Sequence, residues 1–215
     1  CQQTLLFYLR ELSPMPEPSQ VVGAKLVTVE DERWKRCWVK SVALLPNILA
    51  KNAAARKGAD EALFVDEDQQ VWECSASNIF AVMSGAIVTP PIGPKVLPGV
   101  TRQALLDIEP SIDARPLSID EIRGADELFI TSTTREISWI SHLDGRCIAD
   151  RPGNGAARRR VGTTRPLSSR AMLVHPQFDP IAIRIPSSRV RCCVEYATRP
   201  KTPRVARTRA NPAKA

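Results

Sequence analysis

Lys40 closes the run Arg33-Trp34-Lys35-Arg36-Cys37-Trp38-Val39-Lys40-Ser41. An amine that attacks carbonyl carbon must be neutral part of the time, so it needs burial or neighbouring cations that lower its pKa. Trp38 and Val39 precede Lys40, and Arg33 and Arg36 are close in sequence, whereas Lys35 and Lys51 lack such apolar neighbours. A lysine taken alone is far more often a solvated surface charge. Gly99-Val100-Thr101 offers different chemistry: a turn entering a helix presents backbone N–H groups, a hydroxyl and the positive end of the helix dipole to an anion. Ser132 and Thr133, within Thr131-Ser132-Thr133-Thr134-Arg135-Glu136, add a second set of N–H and hydroxyl donors. Taken singly, both segments are ordinary caps and turns more often than anion sites. Glu73 opens Glu73-Cys74-Ser75-Ala76-Ser77-Asn78-Ile79-Phe80, where a strand-end carboxylate on the surface is the plain alternative.

The elements that would carry these residues follow from periodicity. Residues 24 to 30 (AKLVTVE) read as a strand, and RWKRCWVKS as a further extended segment ending at Lys40. Leu44, Leu45, Ile48, Leu49 and Ala53 recur at helical spacing, with Pro46 in the first turn and Gly58 at the expected C-terminal cap. Short strands follow at EALFVDE, QVWEC, NIFAVM and AIVTP, with turns at DEDQ and Ser84-Gly85, the grammar of an antiparallel or mixed sheet. A helix is expected after Gly99 (TRQALLDI) and a shorter one at SIDEIRGA. DELFITST and EISWISHLD supply two more strands, with a turn at Asp144-Gly145.

Charge divides the chain. Residues 1 to 150 hold 15 Lys and Arg against 21 Asp and Glu, a net of −6, and residues 151 to 215 hold 15 against 2, a net of +13. The basic stretch is rich in Arg, Pro, Ala, Thr and Ser without a sustained period, which predicts disorder or translation out of frame. Its Arg158-Arg159-Arg160 would attract phosphate backbones without specificity, and Phe178 and Tyr196 are its only aromatics for base stacking. A non-catalytic fragment whose basic tail binds nucleic acid is therefore the competing reading from another class. The six cysteines form neither a CxxC zinc spacing nor a compact disulfide framework, and His142 and His175 give little material for a metal site, so none is expected. No apolar run reaches the roughly 18 residues of a membrane span, and the opening CQQTLLFYLRE lacks a basic or an apolar signal region, which reads as cytoplasmic.

Four motifs in order over more than a hundred residues give a resemblance. The run Arg33 to Ser41 followed by VALLPNILAKNAAARKGADEALFVD resembles the cofactor-lysine region of D-amino-acid aminotransferases and their branched-chain relatives. ECSASN resembles the family's Glu-x-x-x-Ser-Asn segment, LPGVTR its L-x-G-[IV]-T-R turn, and TSTTRE its second phosphate-binding turn. The resemblance implies an α+β fold: the large C-terminal domain of a fold-type IV aminotransferase dependent on pyridoxal 5′-phosphate, a mixed, barrel-like sheet with flanking helices. It implies transamination between a D-amino acid and a 2-oxo acid through a Lys40 Schiff base, in a homodimer, with Lys40 carrying the proton between substrate and cofactor. Glu73 would pair with the pyridine nitrogen and Arg33 with the phenolic oxygen, Ser77 and Asn78 would belong to the cofactor segment, and Gly99, Val100, Thr101, Ser132 and Thr133 would hold the phosphate. An L-branched-chain aminotransferase and an aminodeoxychorismate-lyase-like enzyme share this fold and cofactor and remain alternatives.

Against the family pattern, residues 1 to 12 (with TLLFYLR) read as a remnant of the small N-terminal domain, 13 to 23 as the interdomain linker, 24 to 150 as the cofactor-binding domain and 151 to 215 as the basic tail. The sequence looks cut at its front, the family's closing helix is missing from its end, and a chain so altered is expected to be a poor enzyme or none. Trp38 stands where the D-amino-acid branch usually has an acid, and Ala76 where a hydroxyl is common; neither is a proposed catalytic group.

Overall fold

The computed structural model describes residues 22 to 149. The expected strand at residues 4 to 10, the linker as far as residue 21 and the basic tail lie outside them. In chain order the elements are β1 (Ala24–Glu30), α1 (Leu45–Arg56), β2 (Glu61–Val65), β3 (Gln70–Cys74), β4 (Asn78–Met83), β5 (Ala86–Thr89), α2 (Val100–Ile108), β6 (Asp113–Ala114), β7 (Leu117–Ser118), α3 (Ile119–Arg123), β8 (Glu127–Ser132), β9 (Glu136–Leu143) and β10 (Arg146–Cys147). The strands form one curled, mixed sheet in the order β6-β5-β4-β8-β9-β1-β2-β3-β7, with β10 paired to β9. β1 runs parallel to β2 and β9, and β5 parallel to β6, while the hairpin neighbours are antiparallel.

Both faces of the central strands are covered, which is why NIFAVM and ELFITS read as continuous apolar runs. Ile79, Ala81, Leu128 and Ile130 face a core shared with Leu26, Leu63, Leu117 and Ile122. On the opposite face Phe80, Val82 and Phe129 pack with Leu105 of α2, and the rings of Phe80 and Phe129 stack at 4.9 Å. Ser84 and Gly85, and likewise Asp144 and Gly145, all have positive φ, as the expected two-residue hairpin turns require. Gly58, at φ +70, follows α1 where the sequence predicts its cap. Ser118 and Glu121 close a reciprocal capping box at the start of α3.

One expectation is corrected. Residues 31 to 44 form no strand: the segment turns over residues 35 to 38, with the Cys37 N–H donating to the Pro94 carbonyl and the Val39 N–H to the Arg36 carbonyl. Three cationic side chains within four residues and contacts from the backbone to a distant loop favour this irregular path over a ladder. Helix α1 forms where the spacing predicts it. Its apolar stripe does not face the core; Ala50 and Ala54 do, against Ala62 and Phe64, while Leu44, Leu45, Ile48 and Leu49 are between 51% and 66% exposed. The alanine side of α1 packs against β1 and β2, with Val27, Ala62 and Phe64.

Candidate active site

The curl of the sheet brings the end of β3, the start of β4, the loop after β1 and the loop before α2 to one place. Glu73, in β3, is 6% exposed rather than on the surface. Its Oε1 accepts from the Arg33 guanidinium, and its Oε2 accepts from Asn78 Nδ2 at 3.1 Å and from the Leu97 N–H at 3.0 Å. Arg33 is held in turn by Asp31, which accepts from its Nε at 2.8 Å and a terminal nitrogen at 3.0 Å, and by the Lys95 carbonyl at 2.9 Å. The guanidinium lies 4.2 Å over the Phe64 ring. Arg33, for which the resemblance implies a phenolic oxygen, donates here to Glu73.

Burial pushes the Glu73 carboxyl up to about 7, with Arg33 and the Leu97 N–H opposing it. Burial also works against the Arg33 charge, but Asp31 and Glu73 outweigh it and hold that group above its usual value. The two shifts are consistent, because one guanidinium serves two buried carboxylates and Asp31 has the two-point grip.

Asn78 ties this cluster to the Gly99-Val100-Thr101 turn. Its Nδ2 also donates to the Leu97 carbonyl at 2.9 Å, and a Cβ added to Gly99 would stand 2.2 Å from Asn78 Oδ1. Gly99 is thus required by that close approach; its φ of −66 is open to any residue. No side chain caps α2, so the N–H groups of its first turn, which includes Val100 and Thr101, are directed outward as donors. Two further polar groups gather on this side of the sheet. Arg102 is 1% exposed and its Nε has no hydrogen-bond partner, although a terminal nitrogen donates to the Pro90 carbonyl. Thr131, paired across the sheet with Asn78 and so on the same face, has an unpartnered, buried Oγ1.

Ser77 does not join Glu73. Its hydroxyl donates to Glu61 Oε1 at 2.9 Å, which also accepts the Ala76 N–H, while Glu61 Oε2 is 3.6 Å from the Arg135 guanidinium. Glu61 so links the ECSASN and TSTTRE segments. Ser132 is half-buried and its hydroxyl accepts from the Arg135 N–H; Thr133 is exposed in the same turn. Lys40 lies seven residues beyond Arg33, exposed, and the neighbouring Trp38 is 53% exposed, so the apolar setting expected from the sequence is not formed by Trp38. Sequence reasoning missed Asp31, Glu61 and Lys95. Lys95 pairs with Asp66 at 2.8 Å and sits over Trp72, pinning the loop that carries Leu97. Their side-chain partners are 15 or more residues away except for Asp31, whose i,i+2 spacing to Arg33 was the one local signal. Among the described residues no group of three or more potential metal ligands gathers.

With this geometry in hand, comparison with known proteins is specific. Residues 1 to 143 match the family model for class IV aminotransferases. D-alanine aminotransferase of Listeria monocytogenes is 41% identical over 141 residues, which are 64% of this chain and 48% of that protein. The D-alanine aminotransferase of Bacillus licheniformis is 35% identical over 66% of this chain and 50% of its own length. This chain thus spans about half the length of the curated relatives it matches. Among solved structures, a fold IV transaminase of Curtobacterium pusillum superposes with a TM-score of 0.61 at 28% identity, covering 71% of this chain and 54% of that one. A putative 4-amino-4-deoxychorismate lyase of Legionella pneumophila gives 0.58 at 26% identity, covering 66% and 55%. Since the family match takes in 143 of the 215 residues and includes all four motifs, the chain belongs to the class IV aminotransferases, a family of pyridoxal-phosphate enzymes.

Proposed function

We propose that this chain is the cofactor-binding part of a pyridoxal-phosphate-dependent transaminase that moves an amino group from a D-amino acid to a 2-oxo acid, with Lys40 as its covalent anchor. The observation that carries this reading is the Glu73 carboxylate. A carboxylate has about four lone-pair sites; Arg33, Asn78 and Leu97 occupy three, which leaves one on Oε1 for a further donor. A protonated pyridine nitrogen is a donor of that kind, and its positive charge offsets the excess of two buried carboxylates over one guanidinium. The unpartnered Arg102 Nε and Thr131 Oγ1, beside the uncapped N-terminus of α2, suit an anionic group on the same molecule.

When bound, pyridoxal phosphate supplies an electron sink for the charge left at the substrate Cα. The chain's own residues do the rest. Glu73 holds the ring nitrogen protonated, and Arg33 and Asn78 fix Glu73. Gly99, Val100 and Thr101 with Ser132 and Thr133 hold the phosphate. Lys40 Nζ anchors the cofactor and moves the proton at the substrate Cα. The D-amino-acid assignment rests on the D-alanine aminotransferase relatives. Assembly as a homodimer agrees with the exposed apolar side of α1, and we assign the protein to the cytoplasm; no helix among the described residues is long and apolar enough to cross a membrane.

Borohydride reduction of the cofactor-loaded chain, followed by peptide mapping, tests the reading. A label on Lys40 is the expected result, with D-alanine used in preference to L-leucine when 2-oxoglutarate is the acceptor. A label on another lysine, or no label, overturns the cofactor assignment; a preference for L-leucine overturns only the substrate assignment.

A further inference from the structure

Asp31 has no place in the reaction as described, yet it is among the most enclosed acids of the site. Its side chain is 2% exposed and that of Arg33 is 3% exposed. Its Oδ1 accepts from the Arg33 backbone N–H at 3.2 Å and from Nε at 2.8 Å, its Oδ2 from a terminal nitrogen at 3.0 Å, and its own N–H donates to the Val65 carbonyl at the end of β2. Asp31 is thus anchored at both its backbone and its carboxylate, and Arg33 reaches Glu73 with the nitrogen that Asp31 leaves over. In a dry pocket, two carboxylates and one guanidinium leave one negative charge without a partner.

We propose that Asp31 is a positioning residue that raises the proton affinity of Glu73: by gripping Arg33 at two points it shares the guanidinium's charge, so that Glu73 has only part of a counter-ion within the protein and depends on the donor at its fourth lone pair for the rest. The role assigned to that donor rests on the cofactor reading above. The coupling between Asp31, Arg33 and Glu73 does not.

Other charged or titratable groups near Glu73 do not substitute for Asp31. Cys37, from the same loop, and Cys74, on β3, are thiols that burial pushes up, so both are neutral near pH 7. Glu61 acts on Cys74 from β2 and is committed to Ser77 and the Ala76 N–H. Arg102 of α2 feels the Glu73 charge, but its hydrogen bond goes to the Pro90 carbonyl. Asp31 is the acid that shares Arg33.

The test uses the full chain without cofactor and follows the infrared band of protonated carboxyl groups against pH. The band that Glu73→Gln removes belongs to Glu73, and its midpoint is expected near 7. Asp31→Asn is expected to lower that midpoint by about one unit or more, a roughly tenfold fall in proton affinity, because Arg33 is then free to serve Glu73 alone. Asp31→Glu keeps the charge and is expected to keep the midpoint, which a purely structural role would not separate from Asp31→Asn. Should Asp31→Asn fail to fold by circular dichroism, Asp31→Ser removes the same charge and carries the same expectation. An unchanged or raised midpoint on removal of the charge, or the absence of any Glu73 band near neutrality, overturns the proposal. If the charge variants shift the band while borohydride labels no lysine, the cofactor reading falls and the Asp31 assignment stands.

Discussion

Burial pushes the Glu73 carboxyl up to about 7, whereas in an unfolded chain it titrates near about 4.3. Between those values the folded form binds more protons than the unfolded one, so the contribution of Glu73 to stability is fully present below about pH 4.3 and is lost as pH rises through 7. The loss is on the order of a few kcal/mol as an upper bound. Urea midpoints of the cofactor-free chain should fall between pH 5 and pH 8, and Glu73→Gln should flatten that slope; equal slopes in the two proteins would refute the assignment. Gly99 gives a second residue-level prediction. In Gly99→Ala the added carbon must displace the Asn78 amide, which holds both Glu73 and Leu97, at a cost of about 1–3 kcal/mol as for other overpacked sites. Asn78→Ala in the same chain removes the obstacle, so a double-mutant cycle on urea midpoints should give a combined loss smaller than the sum of the two single losses.

Among the elements, α1 shows most plainly how a periodic pattern and a packed face can differ. Leu45 and Ile48 are more than half exposed and Ala54 is fully buried against the β1–β2 pair. In the monomer, at concentrations too low for self-association, Leu45→Gln or Ile48→Gln should therefore change stability by no more than about 0.5 kcal/mol, as surface substitutions do, while Ala54→Leu, which crowds the buried side of the helix, should cost about 1–3 kcal/mol. Thermal or urea unfolding of the three variants decides this; a large loss in the glutamine variants would mean that the leucine face packs on something in the isolated chain. The loop before α2 is positioned differently, by backbone contacts from Leu97 and Pro94 and by the Lys95–Asp66 pair. It is irregular in conformation but fixed at several points, which suits a segment that delivers the Leu97 N–H to the Glu73 carboxylate.

At the scale of the molecule, Trp34, Trp38, Val42, Leu44, Leu45, Ile48 and Leu49 are all exposed within sixteen consecutive residues. Isolated exposed apolar side chains are ordinary, but a cluster of this kind marks an interaction surface. The chain should self-associate, with light scattering after size exclusion giving a mass above that of the monomer, and Val42→Asp with Leu45→Glu should move it toward monomer at the same concentration. A monomeric parent protein would count against the homodimer.

Much of this was legible in the residues alone. The boundaries of β3 and β4, the hairpin turns at Ser84-Gly85 and Asp144-Gly145, the cap at Gly58 and the start of α2 depend on interactions within a few residues, so local sequence determines them. The order of the four motifs identified the family for the same reason: each is a continuous segment whose chemistry is carried by its own side chains. What only the tertiary structure decided is who meets whom. Glu73 became a buried, three-donor carboxylate because the sheet curls the end of β3 against Leu97 and Asn78; Arg33 meets both Asp31 and Glu73; α1 buries Ala50 and Ala54 against β1 and β2. These outcomes depend on contacts between residues up to tens of positions apart, and on the exclusion of water from the space between them, which periodicity and spacing along the chain do not encode.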